Sequence, residues 1–294
     1  MRERKVPTVG RDWLVERLNR RFRQAGVEIF SGDPESFGYG ITGAPSVRNN
    51  VLRALAKRGL VLRRTYGSDV PAHAIEVVES VRPYTMTSAR SVIGLCEAVE
   101  YIVKNEIVGD FVECGVWRGG SIMAVAITLL RLGIADRELY LFDTFAGMPA
   151  PSEADRLLMA PDQQPADRWQ RDLRDDHNEW AYAPLETVLA NVASTGYPRQ
   201  HVRLVKGRVE ETIPDRAPHS IALLRLDTDW YSSTRHELEH LYPRLALGGV
   251  VIFDDYGAWS GHRQAVDDYE PARRLLLSRL DDFARIAVKP DDPA

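Results

Sequence analysis

The sequence predicts an α/β fold, with a mostly parallel, Rossmann-like sheet flanked by helices and a helical extension at its N-terminus. From residue 109 onward, short apolar runs alternate with amphipathic segments of helical length, which is the pattern of βαβ units. Two of these runs end abruptly in paired acids. Ligands of open α/β sheets bind just beyond the carboxyl ends of the strands. We therefore expect the binding site at that edge of the sheet.

Composition sets the broad class of the protein. The 294 residues are enough for one large domain, or for a core domain with an extension. A net charge of −4 gives no indication that nucleic acid or an anionic membrane is the partner. Cys96 and Cys114 lie in apolar contexts typical of reduced, buried thiols. No apolar run reaches the roughly 18–20 residues that span a bilayer, and the first residues lack the apolar core of a signal peptide. We expect a cytoplasmic protein.

Two regions follow one another along the chain. Residues 1–80 are predicted to be an accessory helical segment, with one helix capped by Asp12 and a second beginning at Ser46. Residues 81–294 are predicted to form the main domain, which opens with a long helix capped by Ser88. Within it the expected strands are 111–114, 139–142, 201–205, 221–226 and 250–253, with 283–288 as a last one. The expected helices are 121–132, 185–192, 233–245 and one from about residue 263.

A long irregular stretch separates the second predicted strand from the next helix. Residues 147–184 contain several prolines together with Trp169 and Trp180. A connection of this length in a compact domain is usually a lid or a binding loop. The alternative is a solvated insertion, and the sequence leaves both open.

Glycines follow the first predicted strand of the main domain, in the stretch 113–121 (ECGVWRGGS). Glycine lets the backbone approach a ligand, and the N-terminus of the following helix offers free N–H groups. The spacing differs from the G-x-G-x-x-G fingerprint, which argues against an NAD-dependent oxidoreductase. Asp143 ends the next strand, where an acid can accept both ribose hydroxyls of a nucleoside cofactor, or alternatively cap the turn before Thr144. Gly207 ends the third strand, where an adenine ring can lie against the backbone.

Four acids, called here the acid cluster, form the strongest signal: Asp227 and Asp229 after the fourth strand, Asp254 and Asp255 after the fifth. Four carboxylates at one edge repel unless a cation or a proton intervenes. Hard cations such as Mg²⁺ prefer oxygen ligands. Asp227, Asp254 and Asp255 are the natural ligands, and Asp229 is left as a general base. The alternative is that Asp254 and Asp255 cap the loop before the last helix. His262 follows the fifth strand, and the sequence leaves open whether it touches the substrate or serves as the base in place of Asp229.

Residues 81 to about 269 resemble the macrocin O-methyltransferase family, whose enzymes methylate hydroxyls on sugars of natural products. The resemblance rests on the stretches 82–87 (RPYTMT), 109–117 (GDFVECGVW), 142–149 (FDTFAGMP), 224–231 (LRLDTDWY) and 253–257 (FDDYG). They fall in the order that the family shows. The chain departs from the family in having Arg208 where an aromatic residue is expected, and in a shortened C-terminal hairpin.

The resemblance implies a class I methyltransferase fold that uses S-adenosylmethionine and Mg²⁺, and a homo-oligomeric protein. It implies that Asp227, Asp254 and Asp255 hold the metal and that Asp229 is the catalytic base. The predicted cofactor-binding residues are Met86, Thr87, Glu113, Gly115, Ser121, Asp143, Gly207, Arg208 and Asp227, of which the resemblance implies the first six.

These observations predict metal-assisted methyl transfer from S-adenosylmethionine to a hydroxyl of a small molecule, a sugar or glycosylated secondary metabolite. A phenolic, catechol-type acceptor also presents two neighbouring oxygens to a metal, so it stays open as an alternative. A further alternative is a homologue that binds the cofactor without catalysing transfer, and the intact acid cluster argues against it.

Overall fold

A computed structural model describes residues 27–31, 60–64, 66 and 69–290. The chain divides into two compact units, Met1–Glu76 and Val77–Ala294. In the first unit, strands β1 (Val27–Ser31) and β2 (Leu60–Arg64) pair in antiparallel fashion. The sequence predicts only helices in this region, so both strands are an addition to that prediction. The helices predicted from Asp12 and from Ser46 lie outside the described residues.

The second unit contains the predicted sheet, with seven strands within residues 69–290. The strands are β3 (Asp110–Cys114), β4 (Leu139–Asp143), β5 (Val202–Lys206), β6 (Ile221–Leu226), β7 (Leu245–Phe253), β8 (Ser278–Arg279) and β9 (Arg285–Val288). Their spatial order is β5-β4-β3-β6-β7-β9-β8, and the first five are parallel. The strand order reverses at β3, and ligands of such sheets bind at this switch point.

Helices precede and connect the strands of this sheet, whose buried residues require cover on both faces. They are α1 (Ala72–Val81), α2 (Ala89–Lys104), α3 (Gly120–Arg131), α4 (Pro165–Asp172), α5 (Leu185–Ala193), α6 (Val209–Thr212), α7 (Tyr231–Leu241), α8 (Ser260–Asp268) and α9 (Glu270–Arg273). Ser88 caps α2 by accepting a hydrogen bond from the Ser91 backbone N–H, which confirms the predicted cap. None of the helices in the described ranges combines the length and hydropathy needed to cross a bilayer.

The register of the central strands brings the acid cluster together. Leu226, the last residue of β6, pairs with Cys114 of β3 on one side and with Phe253 of β7 on the other. All six residues of β6 are buried, so the pairing is held between two packed layers. Asp227 and Asp254 each follow one of these paired residues. Their proximity is therefore a direct result of strand register.

Two predicted boundaries are wrong. The sequence predicts a helix over 233–245, but α7 ends at Leu241 and a 3-10 turn, Tyr242–Arg244, follows it. Pro243 explains the early end, because proline removes a helical hydrogen bond and its ring clashes with the preceding turn. Strand β7 consequently begins at Leu245, before the predicted residue 250. The C-terminal hairpin is also more complete than predicted, since β9 pairs with both β7 and the short strand β8.

Candidate active site

A cavity of about 340 Å³ lies at the carboxyl ends of the central strands. Its volume is in the range of small-molecule binding sites. It is lined by all of the sequence-predicted site residues, namely Met86, Thr87, Glu113, Gly115, Ser121, Asp143, Gly207, Arg208, Asp227, Asp229, Asp254 and Asp255. The structure thus brings the predicted cofactor-binding, metal-binding and catalytic residues to one place. Their individual roles stay predictions.

Asp143 ties the loop after β3 to the end of β4. Its carboxylate accepts hydrogen bonds from the backbone N–H groups of Val116 (2.7 Å), Trp117 (3.1 Å) and Phe145 (2.7 Å). Burial raises the pKa of Asp143, and these hydrogen bonds oppose that rise. The geometry therefore shows Asp143 holding turns together, as in the capping alternative. Each carboxylate oxygen has two lone pairs, so the carboxylate can still accept from a ribose hydroxyl.

Gly115 is required by the packing of two loops. Its φ is +80°, and a Cβ atom built there would lie 2.0 Å from the backbone oxygen of Asp227. Any larger residue would push the β6–α7 loop away from the loop after β3. The sequence predicts that this glycine serves the approach of a ligand, whereas the structure shows that it serves the approach of Asp227. Both of the loops that meet here line the cavity.

The acid cluster contains a group that is suited to a cation. One carboxylate oxygen from each of Asp227, Asp254 and Asp255 lies within 4.8 Å of the others. Burial raises the pKa of Asp227 to about 7, although Arg225 opposes this rise. Burial, and then the neighbouring carboxylates, raise the pKa values of Asp229 and Asp255 well above the usual range. Oδ2 of Asp255 is buried and has no hydrogen-bond partner among the described residues.

Arg225 is a candidate functional residue that the sequence-based prediction missed. Its side chain is 3% exposed, and it lies in the middle of the site. Nη1 donates to Glu113 Oε1 (2.5 Å) and to Asp227 Oδ2 (2.7 Å). Nη2 donates to Thr87 Oγ1 (2.9 Å) and lies 2.8 Å from Asp254 Oδ1. The planar guanidinium, with its five N–H donors, suits this contact with several groups at once.

The charge of Arg225 is shared among three carboxylates. Burial disfavours its charged form, but Asp227, Asp254 and Glu113 together raise its pKa well above the usual range. Burial raises the pKa of Glu113 to about 8 in spite of Arg225. Arg225 is charged because three acids surround it, and its charge favours the ionised form of Glu113. The sequence signal was an arginine within the apolar run of β6, since charged residues are almost never fully buried unless paired.

His262 is not placed to touch a substrate in this cavity, which was one possibility that the sequence left open. It lies outside the cavity, in α8, with an exposed fraction of 0%. Its Nδ1 is 3.0 Å from Thr234 Oγ1 in α7, so the side chain joins the two helices. Burial lowers the pKa of His262 to about 3, and the ring is therefore neutral at physiological pH.

Part of the insertion 147–184 forms a wall of the cavity. Met148, Pro149, Trp180 and Ala181 line it. The ring of Trp180 packs against those of Trp230 and Trp259, at centroid distances of 5.6 and 5.9 Å. The indole N–H of Trp230 donates to the backbone oxygen of Pro149 (3.0 Å). These contacts favour the binding-loop alternative over a solvated insertion.

Comparison with known proteins identifies the family. The family model described as Macrocin-O-methyltransferase (TylF) matches residues 53–286. The chain belongs to this family. It is therefore an O-methyltransferase, as the sequence resemblance implies.

Relatives and solved structures agree with this assignment. The 8-demethyl-8-(2,3-dimethoxy-alpha-L-rhamnosyl)-tetracenomycin-C 4'-O-methyltransferase of Streptomyces olivaceus is 37% identical over 63% of this chain and 67% of its own length. The mycinamicin III 3''-O-methyltransferase of Micromonospora griseorubida is 32% identical over 70% of this chain and 74% of its own. The structure of the O-methyltransferase NovP is 28% identical, covers 73% of this chain and 88% of its own, and has a TM-score of 0.62. The macrocin O-methyltransferase homologue described here thus has the predicted class I methyltransferase fold.

The calicheamicin methyltransferase CalS11 shares this fold. Its crystal structure is 19% identical, covers 89% of this chain and 98% of its own, and has a TM-score of 0.54. At this identity the likeness extends to the fold alone.

Proposed function

We propose that this family member transfers a methyl group from S-adenosylmethionine to a hydroxyl on a sugar of a natural product, with Mg²⁺ bound in the acid cluster. The observation that carries the proposal is that one cavity contains both the predicted cofactor residues and the acid cluster. Two relatives are named for a rhamnosyl-tetracenomycin and for mycinamicin III, which supports a glycosylated acceptor. The cytoplasmic location and the homo-oligomeric state remain predictions.

The cofactor end of the cavity is built by the loops after β3, β4 and β5. Gly115 and Gly207 directly follow β3 and β5, Asp143 is the last residue of β4, and Ser121 lies in the first turn of α3. When bound, S-adenosylmethionine would supply an activated methyl group. Thr87 lies over this end and is held by Arg225. The chain's own role here is to bind and to orient, which lowers the entropic part of the barrier.

The residues of the acid cluster fit a Mg²⁺ ion. Asp227, Asp254 and Asp255 would hold it, since their oxygens converge and Oδ2 of Asp255 is buried without a partner among the described residues. A bound Mg²⁺ ion would lower the pKa of an acceptor hydroxyl. Arg225 keeps Asp227 and Asp254 in place through direct contacts.

Asp229 is the residue that we assign as the base. It is two positions beyond Asp227, it lines the same cavity, and its φ of +66° turns the chain sharply at this point. Burial and the charge of Asp227 make its carboxylate more basic than usual. Its proposed role is to accept the hydroxyl proton as the acceptor oxygen is methylated.

The test is a methyl-transfer assay with S-adenosylmethionine and a rhamnosylated polyketide whose sugar hydroxyls are free. We expect Asp229→Asn to lower kcat by about 10²-fold or more, and to leave the Kd of the cofactor within about twofold. Asp162→Asn, an exposed aspartate of the insertion, is the matched control. The metal is tested by chelation, with the residual Mg²⁺ measured by atomic emission. Full activity of metal-free protein would disprove the metal-assisted part of the proposal.

A catechol-type acceptor is the second candidate. The observation that favours it is the aromatic and thioether lining that Trp180 and Met148 give to the cavity, since such groups pack well on aromatic rings. Competition between a catechol and the glycosylated acceptor in the same assay distinguishes the two. A higher kcat/KM for the catechol would replace the sugar in our proposal.

A further inference from the structure

The helices that follow the two acid-bearing loops begin in an unusual way. The N-cap residue of α7 is Trp230, and that of α8 is Trp259. The first N–H groups of a helix need acceptors, which Ser, Thr, Asp or Asn normally supply at this position. A tryptophan side chain has no acceptor. Instead the two rings pack edge to face, with their centroids 5.0 Å apart. The acceptors for these helices must therefore come from another part of the chain.

For α7 the acceptor is Asp155, which belongs to the insertion. Its exposed fraction is 1%. Oδ1 accepts a hydrogen bond of 2.8 Å from the backbone N–H of Tyr231, the first residue of α7. Oδ2 accepts from the backbone N–H (2.7 Å) and the hydroxyl (2.6 Å) of Ser152. Asp155 is thus a remote helix cap, fully engaged and held in place by its own segment.

The same segment, residues 152–158, is also joined to the start of α8. The Ser260 hydroxyl donates to the backbone oxygen of Ala154 (2.6 Å), and the Ser260 N–H donates to that of Arg156 (2.9 Å). Gly261 lies so close that a Cβ atom there would be 1.9 Å from Asp155 Oδ1. The 152–158 segment therefore contacts the first turns of both helices.

These contacts lie where the two loops that contain the acid cluster run into α7 and α8. Asp229 has a left-handed backbone, which is unfavourable for a non-glycine residue and persists only where the surroundings impose it. The hydrogen bond from Tyr231 to Asp155 lies two residues after this turn. In the other loop, the Trp259 N–H donates to the backbone oxygen of Asp255 (3.0 Å), directly before the contacts of Ser260.

We propose that Asp155 is a positioning residue and that the 152–158 segment sets the distance between Asp229 and the pair Asp254–Asp255. The insertion then acts on catalysis through the backbone of both loops. The predicted effect of the insertion on turnover rests on the function proposed above. Its predicted effect on the backbone of the two loops is independent of that function.

The experiment compares Asp155→Ala, Asp155→Asn and the matched control Glu153→Ala, which removes an exposed acid from the same segment. Hydrogen exchange is followed by mass spectrometry on the full chain, and kcat and KM are measured for both substrates. For Asp155→Ala we expect faster exchange in peptides covering 228–234 and 256–263, with unchanged exchange in β3 and β4. We expect kcat to fall about ten- to a hundredfold and the KM of the cofactor to stay within about twofold.

The Asp155→Asn variant keeps an acceptor oxygen for Tyr231, so it should restore most of kcat. Wild-type exchange and kcat in folded Asp155→Ala would overturn the proposal. So would faster exchange throughout the sheet, with kcat and cofactor KM worsening together, since that is a general loss of stability. If Asp155→Ala fails to fold, Ser152→Ala and Asp155→Asn are compared in the same way. An absence of methyl transfer by the wild type would disprove the proposed function, and the exchange data would still decide the positioning role.

Discussion

Arg225 lies among Glu113, Asp227 and Asp254 and forms an ion pair with each of them. A buried ion pair gives little net stability relative to an apolar packing, because both charges lose their hydration. The removal of one partner is far more costly, because it leaves the other charge buried and unpaired. In this site a single guanidinium is paired with three acids. Its removal would therefore leave three buried acids without their counter-charge, which is far more costly than the small net gain from the pairing.

We therefore predict that Arg225→Met lowers the free energy of unfolding by about 3–5 kcal/mol at pH 7, measured by urea denaturation. The control is Arg203→Met, which breaks the pair of Arg203 with Glu138 at the surface, where the arginine side chain is 49% exposed. Solvent screens that pair, so we expect a loss of at most about 1 kcal/mol. Equal losses in the two variants would show that Arg225 is not the central charge of the site.

His262 predicts a pH dependence of stability. Burial lowers its pKa to about 3 in the folded protein, from an ordinary value of 6.5. Between these values the unfolded chain binds more protons than the folded one, so stability falls as the pH falls, by up to about 1.4 kcal/mol per pH unit. In His262→Asn this contribution should vanish, and the free energy of unfolding between pH 6 and pH 4 should fall less steeply. Urea denaturation across that range measures the slope, and an unchanged slope would contradict the prediction.

At the scale of elements, the C-terminal hairpin is fastened to the start of α2. Asp281, in the turn between β8 and β9, accepts hydrogen bonds from the hydroxyls of Ser88 and Ser91. It also accepts from the backbone N–H groups of Phe283 and Ala284, both at 2.8 Å. Residues 281, 283 and 284 line the cavity beside Met86. The hairpin thus forms part of the cavity wall.

We predict that Asp281→Ala weakens the binding of S-adenosylhomocysteine about five- to tenfold, since a loss of about 1–1.4 kcal/mol corresponds to one net hydrogen bond. Isothermal titration calorimetry measures the Kd. Asp282→Ala, at the exposed neighbouring position, serves as the control and should bind like the wild type. Unchanged binding by the Asp281 variant would show that the hairpin does not support the cavity wall.

The strands β3 to β6 are predictable because apolar runs bounded by turn residues report burial directly. The end of α7 and the start of β7 were misjudged because the apolar pattern continues through Pro243 into the strand. Strand β8 has two residues and leaves no periodic signal. Asp155 is one acid among many in a polar stretch, and only its burial distinguishes it. Arg225 is recognisable in the sequence as a charged residue within β6, but Glu113 and Asp254, with which it pairs, are distant in sequence.

At the scale of the whole molecule, the site combines three parts of the second unit, Val77–Ala294. The sheet edge provides the predicted reactive groups, whereas the insertion 147–184 and the hairpin of β8 and β9 support them. The spacing of residues within a sequence motif predicts which side chains bind ligands or react. The supporting contacts are long-range, and a single sequence does not show them. This is why the predicted site residues all meet in one cavity while their supports were missed.

The acid cluster leads to a prediction about stability of the whole chain. A ligand that binds only the folded state raises the unfolding temperature by mass action. With Mg²⁺ at about ten times its Kd, the gain is about 1.4 kcal/mol, or roughly 2–4 °C in a domain of this size. We expect this shift in differential scanning calorimetry, and we expect it to be absent from the Asp254→Asn/Asp255→Asn double variant. NaCl at equal ionic strength controls for screening, and an equal shift with NaCl would rule out a specific site.

Arg225 is covalently part of the sheet, so the site contains a counterion that no chelator can extract. Proteins whose fold depends on a metal unfold when the metal is removed. Here the guanidinium continues to hold Glu113, Asp227 and Asp254 in position after such removal. The loss of Mg²⁺ would then stop turnover without dismantling the fold, and activity would return at the speed of ion binding, without a refolding step.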